Sequence, residues 1–332
     1  MGRMLIVCDD KIPFLRGVFE PFAEVKYLTG SHITRDDILD ADALIVRTRT
    51  RCDRALLEGT KVRIVASATI GIDHIDTLWC EQNGIIWANA PGCNARSVCQ
   101  WVGSTLSALS HRLGLGLRGK TLGIVGVGHV GSEVARLAPT LGMSTLLCDP
   151  PRAESEGPKG FVSLEDLTRR SDIITIHTPL TAQTFHLFDS ERLKSLSSAQ
   201  ILINSARGEI VDGGALKSAL REGHLRAAAL DVWENEPEID RELLERVTIG
   251  TPHIAGYSAD GKANGTTTAV RAVANTLGIK ALSGWKVESV PESAEPYYDV
   301  LKDDAALRAH PENFERLRSD YPIRREPLFK TY

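Results

Sequence analysis

The sequence contains no apolar run that approaches the roughly 20 residues of a membrane-spanning helix. Its first apolar run, residues 4–7, has only the length of a strand, and the polar residues Asp9, Asp10 and Lys11 follow it closely. A secretory signal peptide has a longer apolar segment after a positively charged start, so none is predicted. We therefore expect a cytoplasmic protein with no membrane partner.

The chain also lacks an excess of basic residues. With 39 Lys and Arg against 43 Asp and Glu, the formal net charge is −4, whereas general nucleic-acid binding needs a clustered basic surface. The six cysteines form no CxxC pair and show no Cys/His spacing typical of a metal site. Composition thus argues against a nucleic-acid partner, and neither a bound metal nor a disulfide framework is predicted.

What the sequence does contain is a glycine-rich loop between a predicted strand and a predicted helix. Gly126, Gly128 and Gly131 have GxGxxG spacing after the apolar run 121–125. In dinucleotide-binding folds the first glycine permits a tight turn, the second lets the backbone approach a pyrophosphate and the third lets the helix pack on the strand. The next predicted strand ends at Asp149, where such folds place the acid that binds a ribose diol. A strand–turn–helix that binds nothing is the alternative.

Predicted strands and helices alternate along most of the chain, which indicates an α/β protein with parallel sheets. Helical spacing is found at 95–110 and again at 259–277, and the second of these helices is expected to return to the first domain. The predicted strands are 4–7, 43–46, 63–66 and 84–87 in the first part of the chain, and 121–125, 144–148, 173–176, 201–204, 227–230 and 247–249 in the second.

We therefore expect two Rossmann-like, doubly wound parallel-sheet domains with a cleft between them, because 332 residues are too many for one small core. The substrate-binding domain takes residues 1–95 and is completed by 257–280. The NAD-binding domain takes residues 96–256. A shortened and mostly polar C-terminal segment takes residues 281–332.

Three polar residues follow predicted strands of the second domain, where an open α/β sheet places its ligand. Arg207 follows the strand 201–204, and a planar guanidinium can bind a carboxylate through two parallel hydrogen bonds. Glu236 and His253 lie beyond the next two strands. Histidine exchanges protons near neutral pH, and a nearby glutamate would orient its ring. Each residue alone is more often structural or solvated, but all three together predict an acid–base site.

Together these segments resemble the D-2-hydroxyacid dehydrogenase family. The resemblance covers about residues 4–280 and is carried by VGVGHVG with Asp149, INSARGEIVD, LDVWENEP and TPHIAGY. It implies an NAD-dependent oxidoreductase that oxidises a phosphorylated 2-hydroxy acid, 4-phospho-D-erythronate, at C2 on the route to pyridoxal 5′-phosphate. His253 would accept the proton of the 2-hydroxyl, Glu236 would hold and tune His253, and Arg207 would bind the substrate carboxylate.

The resemblance also implies further contacts and an assembly. Cofactor contacts would come from Gly126, Gly128, His129, Val130, Gly131, Asp149, Thr178, Ala206, Asp231 and Gly256. Substrate contacts would come from Arg47, Thr48, Thr69, Arg207 and Tyr257, with Arg47 placed directly after the strand 43–46 to bind phosphate or carboxylate. Related dehydrogenases pair through the region of helix 95–110, which implies a homodimer with the C-terminal segment as an accessory contact.

Two other functions stay open at this point. Another D-2-hydroxyacid dehydrogenase, for example one acting on 3-phosphoglycerate, would share the same catalytic residues. A non-enzymatic NAD(H)-sensing protein would share the fold, and fold alone does not establish function.

Overall fold

Two parallel β-sheets organise the chain, one in each of two units of the computed structural model, which describes residues 3–331. Unit 1 comprises Met1–Asn94 and Ser258–Glu292, and unit 2 comprises Ala95–Tyr257 and Ser293–Tyr332. Within the described residues, no helix has the length and apolar character needed to cross a membrane. The prediction of two doubly wound, parallel-sheet α/β domains is confirmed.

Unit 1 is built on five parallel strands in the order β2-β1-β3-β4-β5. The central strands β3 and β4 are buried at every residue, as continuous apolar runs predict for strands covered on both faces. The strands are β1 (Leu5–Asp9), β2 (Glu24–Leu28), β3 (Ala43–Val46), β4 (Ile64–Ser67) and β5 (Ile86–Ala88). The helices that precede unit 2 in the chain are α1 (Arg35–Ile38), α2 (Arg54–Leu57) and α3 (Thr77–Gln82).

A long helix, α11 (Ala259–Leu277), follows unit 2 in the chain but belongs to unit 1, and helical spacing predicted the helix itself. Its buried residues Val270 and Val273 belong to the same apolar cluster as Ile6 and Ile45 of the sheet. A Cβ atom at Gly265 would collide with the carbonyl oxygen of Ala68, so the helix and the chain after β4 approach at backbone distance. Both parts of unit 1 therefore share one core.

Unit 2 is built on six parallel strands in the order β11-β10-β9-β8-β6-β7. The chain starts this sheet at β6, adds β7 on one side and then continues from β8 on the other, so the strand order reverses at β6. Open α/β sheets bind ligands at the carboxyl ends of the strands beside such a reversal. The strands are β6 (Thr121–Val125), β7 (Ser144–Cys148), β8 (Ile173–Ile176), β9 (Ile201–Asn204), β10 (Ala227–Leu230) and β11 (Ile249–Gly250).

The helices of unit 2 follow the alternation that the sequence predicts. Pro139 lies where α5 gives way to a short 3₁₀ turn, because proline cannot continue the helical hydrogen bonding. The helices are α4 (Ala95–Leu113), α5 (His129–Leu137), α6 (Pro150–Glu156), α7 (Leu164–Arg170), α8 (Ser190–Ser195), α9 (Gly213–Glu222), α10 (Arg241–Arg246), α12 (Val300–Ala309) and α13 (Phe314–Ser319).

The C-terminal residues 293–331 are an integral part of unit 2 and not an accessory to it. On α12, the buried Asp304 accepts a hydrogen bond from the backbone N–H of Gly250 at 2.8 Å and forms ion pairs with Arg112 and Arg308. The side chain of Gln100 on α4 donates to two backbone carbonyls near the end of the chain. The C-terminal residues therefore cover part of α4, the helix predicted for pairing.

Candidate active site

The glycine loop leads from β6 into α5, and each glycine meets a different constraint. Gly126 has a φ of +86°, and a Cβ atom there would lie 2.7 Å from the backbone carbonyl carbon of His177. A Cβ atom at Gly131 would collide with the carbonyl oxygen of Gly126. At Gly128, the N-cap of α5, no described residue other than its neighbours along the chain comes within 4 Å of the Cβ position. The loop thus combines a tight turn, an open approach and close helix packing, which a bound pyrophosphate requires.

Asp149 joins this loop to the end of β7. Its Oδ2 accepts a hydrogen bond from the N–H of Val127 at 2.8 Å, and its Oδ1 accepts one from the N–H of Arg152 at 3.1 Å. The Arg152 guanidinium is held by Glu156 through two hydrogen bonds of 2.7 Å. A carboxylate here can accept bonds from a ribose diol and would repel a 2′-phosphate. The arrangement fits NAD better than NADP.

The other predicted cofactor residues lie at the carboxyl ends of the same sheet. His129 and Val130 begin α5, Thr178 follows β8, and Ala206 follows β9. Among the described residues, the buried hydroxyls of Thr178 and Ser205 have no hydrogen-bond partner. Because buried polar atoms normally have partners, unpaired hydroxyls at adjacent strand ends fit a polar ligand such as NAD.

Beside Thr178 lies a second histidine, His177, which burial keeps neutral. Its Nε2 lies 3.0 Å from the hydroxyl of Thr175, and burial lowers its pKa to about 3. A base with so low a pKa cannot exchange protons efficiently near neutral pH. His177 is therefore not an alternative to His253 in acid–base chemistry.

Glu236 and His253 come together in unit 2. Oε2 of Glu236 lies 2.7 Å from Nδ1 of His253, and Oε1 accepts a hydrogen bond from the N–H of Trp233 at 2.8 Å. Both carboxylate oxygens are thus bound, which fixes the orientation of the ring they contact. The His253 side chain is 30% exposed. Because Glu236 occupies Nδ1, the other ring nitrogen, Nε2, is the one that can contact a substrate.

The backbone of His253 adopts an uncommon conformation. Its φ is +55°, a region that residues other than glycine rarely occupy. Its N–H donates to the carbonyl of Asp231 at 2.7 Å, and the side chain of Asp231 accepts hydrogen bonds from the N–H groups of Ile254 and Ala255, both at 2.8 Å. Asp231, predicted as a cofactor contact, is thus itself buried beneath the loop that carries His253 and Gly256.

Arg207 lies in the turn that follows β9, in the same unit as this pair. The side chain of Asn204 donates to the carbonyl of Arg207 at 2.8 Å and accepts from the N–H of Ala206 at 3.0 Å. A Cβ atom at Gly208 would collide with the backbone of Trp233, so the turn packs directly against the segment that leads to Glu236. The structure therefore brings Arg207, Glu236 and His253 into one region of unit 2.

Tyr257, predicted to contact substrate, ends the same loop at the boundary of unit 2. Its ring meets that of Tyr321 edge to face at 6.0 Å between centroids, and the guanidinium carbon of Arg318 lies 5.7 Å from its ring centroid. Both partners come from the C-terminal residues of unit 2. The position of this tyrosine therefore depends on a segment that no sequence motif marks.

The remaining predicted substrate contacts lie in unit 1, after β3 and β4. Arg47 binds Asp9 through two hydrogen bonds, Nε to Oδ2 at 3.0 Å and Nη2 to Oδ1 at 3.1 Å. Thr48 is exposed, and the hydroxyl of Thr69 lies 2.7 Å from that of Ser67.

Sequence reasoning missed two residues that support the predicted ones. Asp9 ends β1 and is fully buried, and only the register of β1 with β3 shows that it meets Arg47. Asn204, 1% exposed, ends β9 and shapes the turn of Arg207. The signal in both cases was a polar residue at the end of an apolar strand.

No group of three His, Cys, Asp or Glu side chains is placed to hold a metal ion in the described part of the chain. The carboxylate of Glu236 instead contacts the ring of His253 and the backbone N–H of Trp233. The geometry offers proton exchange at His253 and anion binding at Arg207.

A family model matches residues 96–255, and its description is "D-isomer specific 2-hydroxyacid dehydrogenase, NAD binding domain". This chain is 48% identical to an erythronate-4-phosphate dehydrogenase of Bacteroides fragilis, and the match covers 97% of each of the two chains. The enzymes of the same name from Porphyromonas gingivalis and Yersinia pestis are 43% and 42% identical, with 97% of this chain covered and 94% and 93% of theirs.

Solved structures show the same architecture. The D-lactate dehydrogenase of Aquifex aeolicus, complexed with NAD and lactic acid, has a TM-score of 0.72 at 25% identity and covers 87% of this chain. The NAD⁺-bound 3-phosphoglycerate dehydrogenase of Entamoeba histolytica has a TM-score of 0.70 at 27% identity over the same share. Each of the two is itself covered over its whole length.

Proposed function

The chain belongs to the D-isomer specific 2-hydroxyacid dehydrogenase family, and we propose that its substrate is 4-phospho-D-erythronate, oxidised at C2. Family membership confirms the predictions of an oxidoreductase and of NAD as its cofactor. The substrate is suggested by relatives named erythronate-4-phosphate dehydrogenase, which align with 97% of the chain. The product would be 3-hydroxy-2-oxo-4-phosphooxybutanoate, in the biosynthesis of pyridoxal 5′-phosphate.

The contact between Glu236 and His253 carries the proposal of acid–base catalysis. Nε2 of His253 accepts the proton of the 2-hydroxyl, and the carboxylate of Glu236, 2.7 Å from Nδ1, stabilises the imidazolium that forms. NAD, when bound, supplies the hydride acceptor. The roles of these two residues agree with the general requirement that a base be held in position by a third group.

Arg207 is proposed to bind the substrate carboxylate and to polarise the oxygen at C2. Its guanidinium can form two parallel hydrogen bonds to a carboxylate, and its positive charge stabilises negative charge that develops on the oxygen. The turn held by Asn204 and Gly208 supports this role, because it fixes the backbone from which the arginine extends.

The terminal phosphate is proposed to bind in unit 1, to Arg47 and the hydroxyls of Thr48 and Thr69. Asp9 orients Arg47 by binding two of its N–H groups. A guanidinium carries five donors, so a phosphate can be bound through those that do not face Asp9. The hydroxyl of Tyr257 is proposed to form a further hydrogen bond to the substrate.

A comparison of substrates tests the proposal. The purified chain would be incubated with NAD and 4-phospho-D-erythronate, D-erythronate, 3-phosphoglycerate or D-lactate, and NADH formation would be followed. A parallel assay contains a 2-oxo acid, so that tightly held NADH can be reoxidised. The highest kcat/KM is expected for 4-phospho-D-erythronate.

Each alternative has its own outcome in this assay. A preference for 3-phosphoglycerate or D-lactate would replace the substrate but leave the dehydrogenase in place. NADH binding without turnover of any hydroxy acid would favour the sensing protein. The homodimer and the cytoplasmic location predicted from the sequence belong to the proposal and would be checked by light scattering and by cell fractionation.

A further inference from the structure

A buried arginine from the C-terminal residues contacts the loop that carries His253. Arg324, which follows α13, is only 5% exposed. Its Nη2 donates hydrogen bonds to the carbonyl oxygen of Ala255 and to the hydroxyl of Ser97. The hydroxyl of Ser97 donates to the same carbonyl at 2.8 Å. The carbonyl of Ala255 thus accepts from two side chains that come from distant parts of the sequence.

The same loop is held on its other side by Asp231. The N–H of Ala255 donates to Oδ2 of Asp231, and the N–H of Ile254 donates to Oδ1, both at 2.8 Å. With Arg324 on the carbonyl, both polar groups of Ala255 are fixed. This residue lies two positions after His253 and two before Tyr257. The positive φ of His253 is unfavourable in isolation, so the loop conformation depends on such external bonds.

Arg324 is itself held in a cage of two tyrosines. Its guanidinium carbon lies 4.3 Å from the ring centroid of Tyr298 and 5.7 Å from that of Tyr321. Both tyrosine hydroxyls donate to Oδ2 of Asp303, at 2.9 and 2.8 Å. The ring of Tyr321 also meets Tyr257 edge to face. Arg324 therefore contacts the loop at Ala255, and Tyr321 of its cage contacts the loop at Tyr257.

We propose that Arg324 is a positioning residue for the dehydrogenation: by fixing the carbonyl of Ala255 it sets the places of His253 and Tyr257. This inference rests on the proposed function, because it assigns the purpose of the loop from the roles of those two residues. Arg324 does not touch the reacting atoms. It acts through the backbone, and a displacement of about 1 Å in a catalytic group can lower a rate about 100-fold.

The test compares Arg324→Gln, Arg324→Lys and the matched control Arg316→Gln in the full-length chain. Arg316 lies on α13 with its side chain 76% exposed. Two readouts are used. The first is kcat and KM for 4-phospho-D-erythronate, with kcat expressed per NADH-binding site, which removes the effect of unfolded molecules. The second is amide hydrogen exchange in a peptide that covers residues 251–257.

Arg324→Gln is expected to lower kcat per site at least about 10-fold and to raise amide exchange in the loop by a similar factor. Arg324→Lys should fall between Arg324→Gln and the unmodified chain, because an ammonium can donate to the Ala255 carbonyl but lacks the planar fork. Arg316→Gln should match the unmodified chain in both readouts. NADH affinity should fall less than kcat in Arg324→Gln, because the glycine loop and Asp149 are untouched and only the predicted contacts Asp231 and Gly256 border the loosened loop. It should be unchanged in Arg316→Gln.

Unchanged kcat per site and unchanged exchange in Arg324→Gln would overturn the inference, as would a loss of activity that only matches a loss of NADH-binding sites. If Arg324→Gln does not fold, Tyr321→Phe takes its place, since it keeps the ring and removes one hydrogen bond to Asp303. Tyr321→Phe should shift both readouts in the same direction by a smaller factor. If neither readout changes in this variant, the inference is overturned. Absence of turnover in the unmodified chain contradicts the proposed function, while hydrogen exchange still decides the role of Arg324.

Discussion

The carboxylate of Glu236 lies 2.7 Å from Nδ1 of His253, and its second oxygen is held by the backbone N–H of Trp233. The glutamate therefore cannot rotate away from the ring without losing a backbone hydrogen bond. This pairing fixes the ring orientation and directs Nε2 away from Glu236. The acid–base predictions follow from it.

Replacing His253 by Gln should lower kcat by roughly 10²–10⁴-fold if this residue transfers the proton. Glu236→Gln should lower it less and should shift the pH profile, because an amide cannot stabilise the imidazolium by charge. Steady-state kinetics across pH would measure both. His224→Gln is the matched control, since the His224 side chain is 42% exposed and pairs with Glu222. A nearly normal rate in His253→Gln would remove this histidine from the mechanism.

Asp149 should make the enzyme strongly selective for NAD over NADP. Its carboxylate repels a 2′-phosphate, and Arg152, which could neutralise that charge, is bound to Glu156. Asp149→Ala should weaken NAD binding, and it should also lower stability by about 0.5–2 kcal/mol, because Asp149 caps α6. Asp189→Ala removes the equivalent cap of α8 and should lower stability alone. Equal kcat/KM with both cofactors in the unmodified chain would contradict the assignment.

Most of the fold follows from the sequence because its strands are continuous apolar runs. Six of the ten predicted strands match to the residue: β3 of unit 1, and β6, β7, β8, β9 and β10 of unit 2. The edge strand β2 was missed, since Glu24 and Lys26 alternate with its apolar residues and only one neighbour pairs with it. An edge strand with charged side chains resembles a loop in composition.

Some residues of the candidate site could be predicted from the sequence and others could not. Arg207, Glu236 and His253 follow apolar strands, so their position at one sheet edge could be predicted. Asp9 and Asn204 could not be assigned a partner, because sheet register and turn geometry decide what they contact. The C-terminal contacts of the His253 loop were beyond prediction for another reason: Arg324 joins Ala255, 69 positions away, and Ser97, 227 positions away, without any repeated pattern.

Asp303 should make stability depend on pH below neutrality. Burial raises its pKa to about 6 from the ordinary 3.8, against the opposing hydrogen bond from Tyr321 and the charge of Arg324. The folded state therefore holds this proton more tightly than the unfolded state does. The resulting stabilisation is complete below about pH 3.8 and is lost as the pH rises through about 6. Its contribution to the free energy of unfolding is at most about 3 kcal/mol.

Chemical denaturation at several pH values would detect this contribution. In Asp303→Asn the part of the pH dependence between the two pKa values should disappear, because the amide does not titrate. Asp320→Asn is the control, since Asp320 is exposed on the same C-terminal segment. An identical pH dependence in Asp303→Asn and the unmodified chain would show that Asp303 titrates normally.

Removing the residues after Ser283 should prevent unit 2 from folding, contrary to what an accessory tail would predict. The deleted part contains the buried side chains of Tyr298, Val300, Leu307 and Phe314. Full burial of one such side chain contributes about 1.5–3 kcal/mol, and a typical domain has only about 5–15 kcal/mol in total. Circular dichroism and light scattering of the truncated chain would show the loss.

Point variants test whether the buried side chains of the C-terminal residues cause this loss of stability, or whether any substitution there would. Phe314→Ala should lower stability by about 3–5 kcal/mol because the ring is fully buried. Ile323→Ala, at a position 48% exposed, should change it by less than about 0.5 kcal/mol. A folded, dimeric truncated chain would restore the accessory role.

The last prediction concerns the phosphate of the substrate. Replacing Arg47 by Ala would leave the fully buried Asp9 without its partner, and breaking a buried pair in this way destabilises a protein by about 3–5 kcal/mol. Arg47→Lys is the better test, because it keeps the positive charge beside Asp9 and removes the planar fork. Arg51→Lys, at an exposed position that pairs with Asp53, is the control.

Binding energy from a remote phosphate can align the reacting carbon, so D-erythronate should have a lower kcat than its 4-phosphate as well as weaker binding. In Arg47→Lys this difference between the two substrates should narrow, chiefly through a lower kcat/KM for the phosphorylated one. NAD binding should be unchanged, since Arg47 lies in unit 1 and the glycine loop in unit 2. If the unmodified chain oxidises D-erythronate with the same kcat/KM as its 4-phosphate, the proposed substrate is wrong. The proposed roles of His253 and Arg207 would still stand.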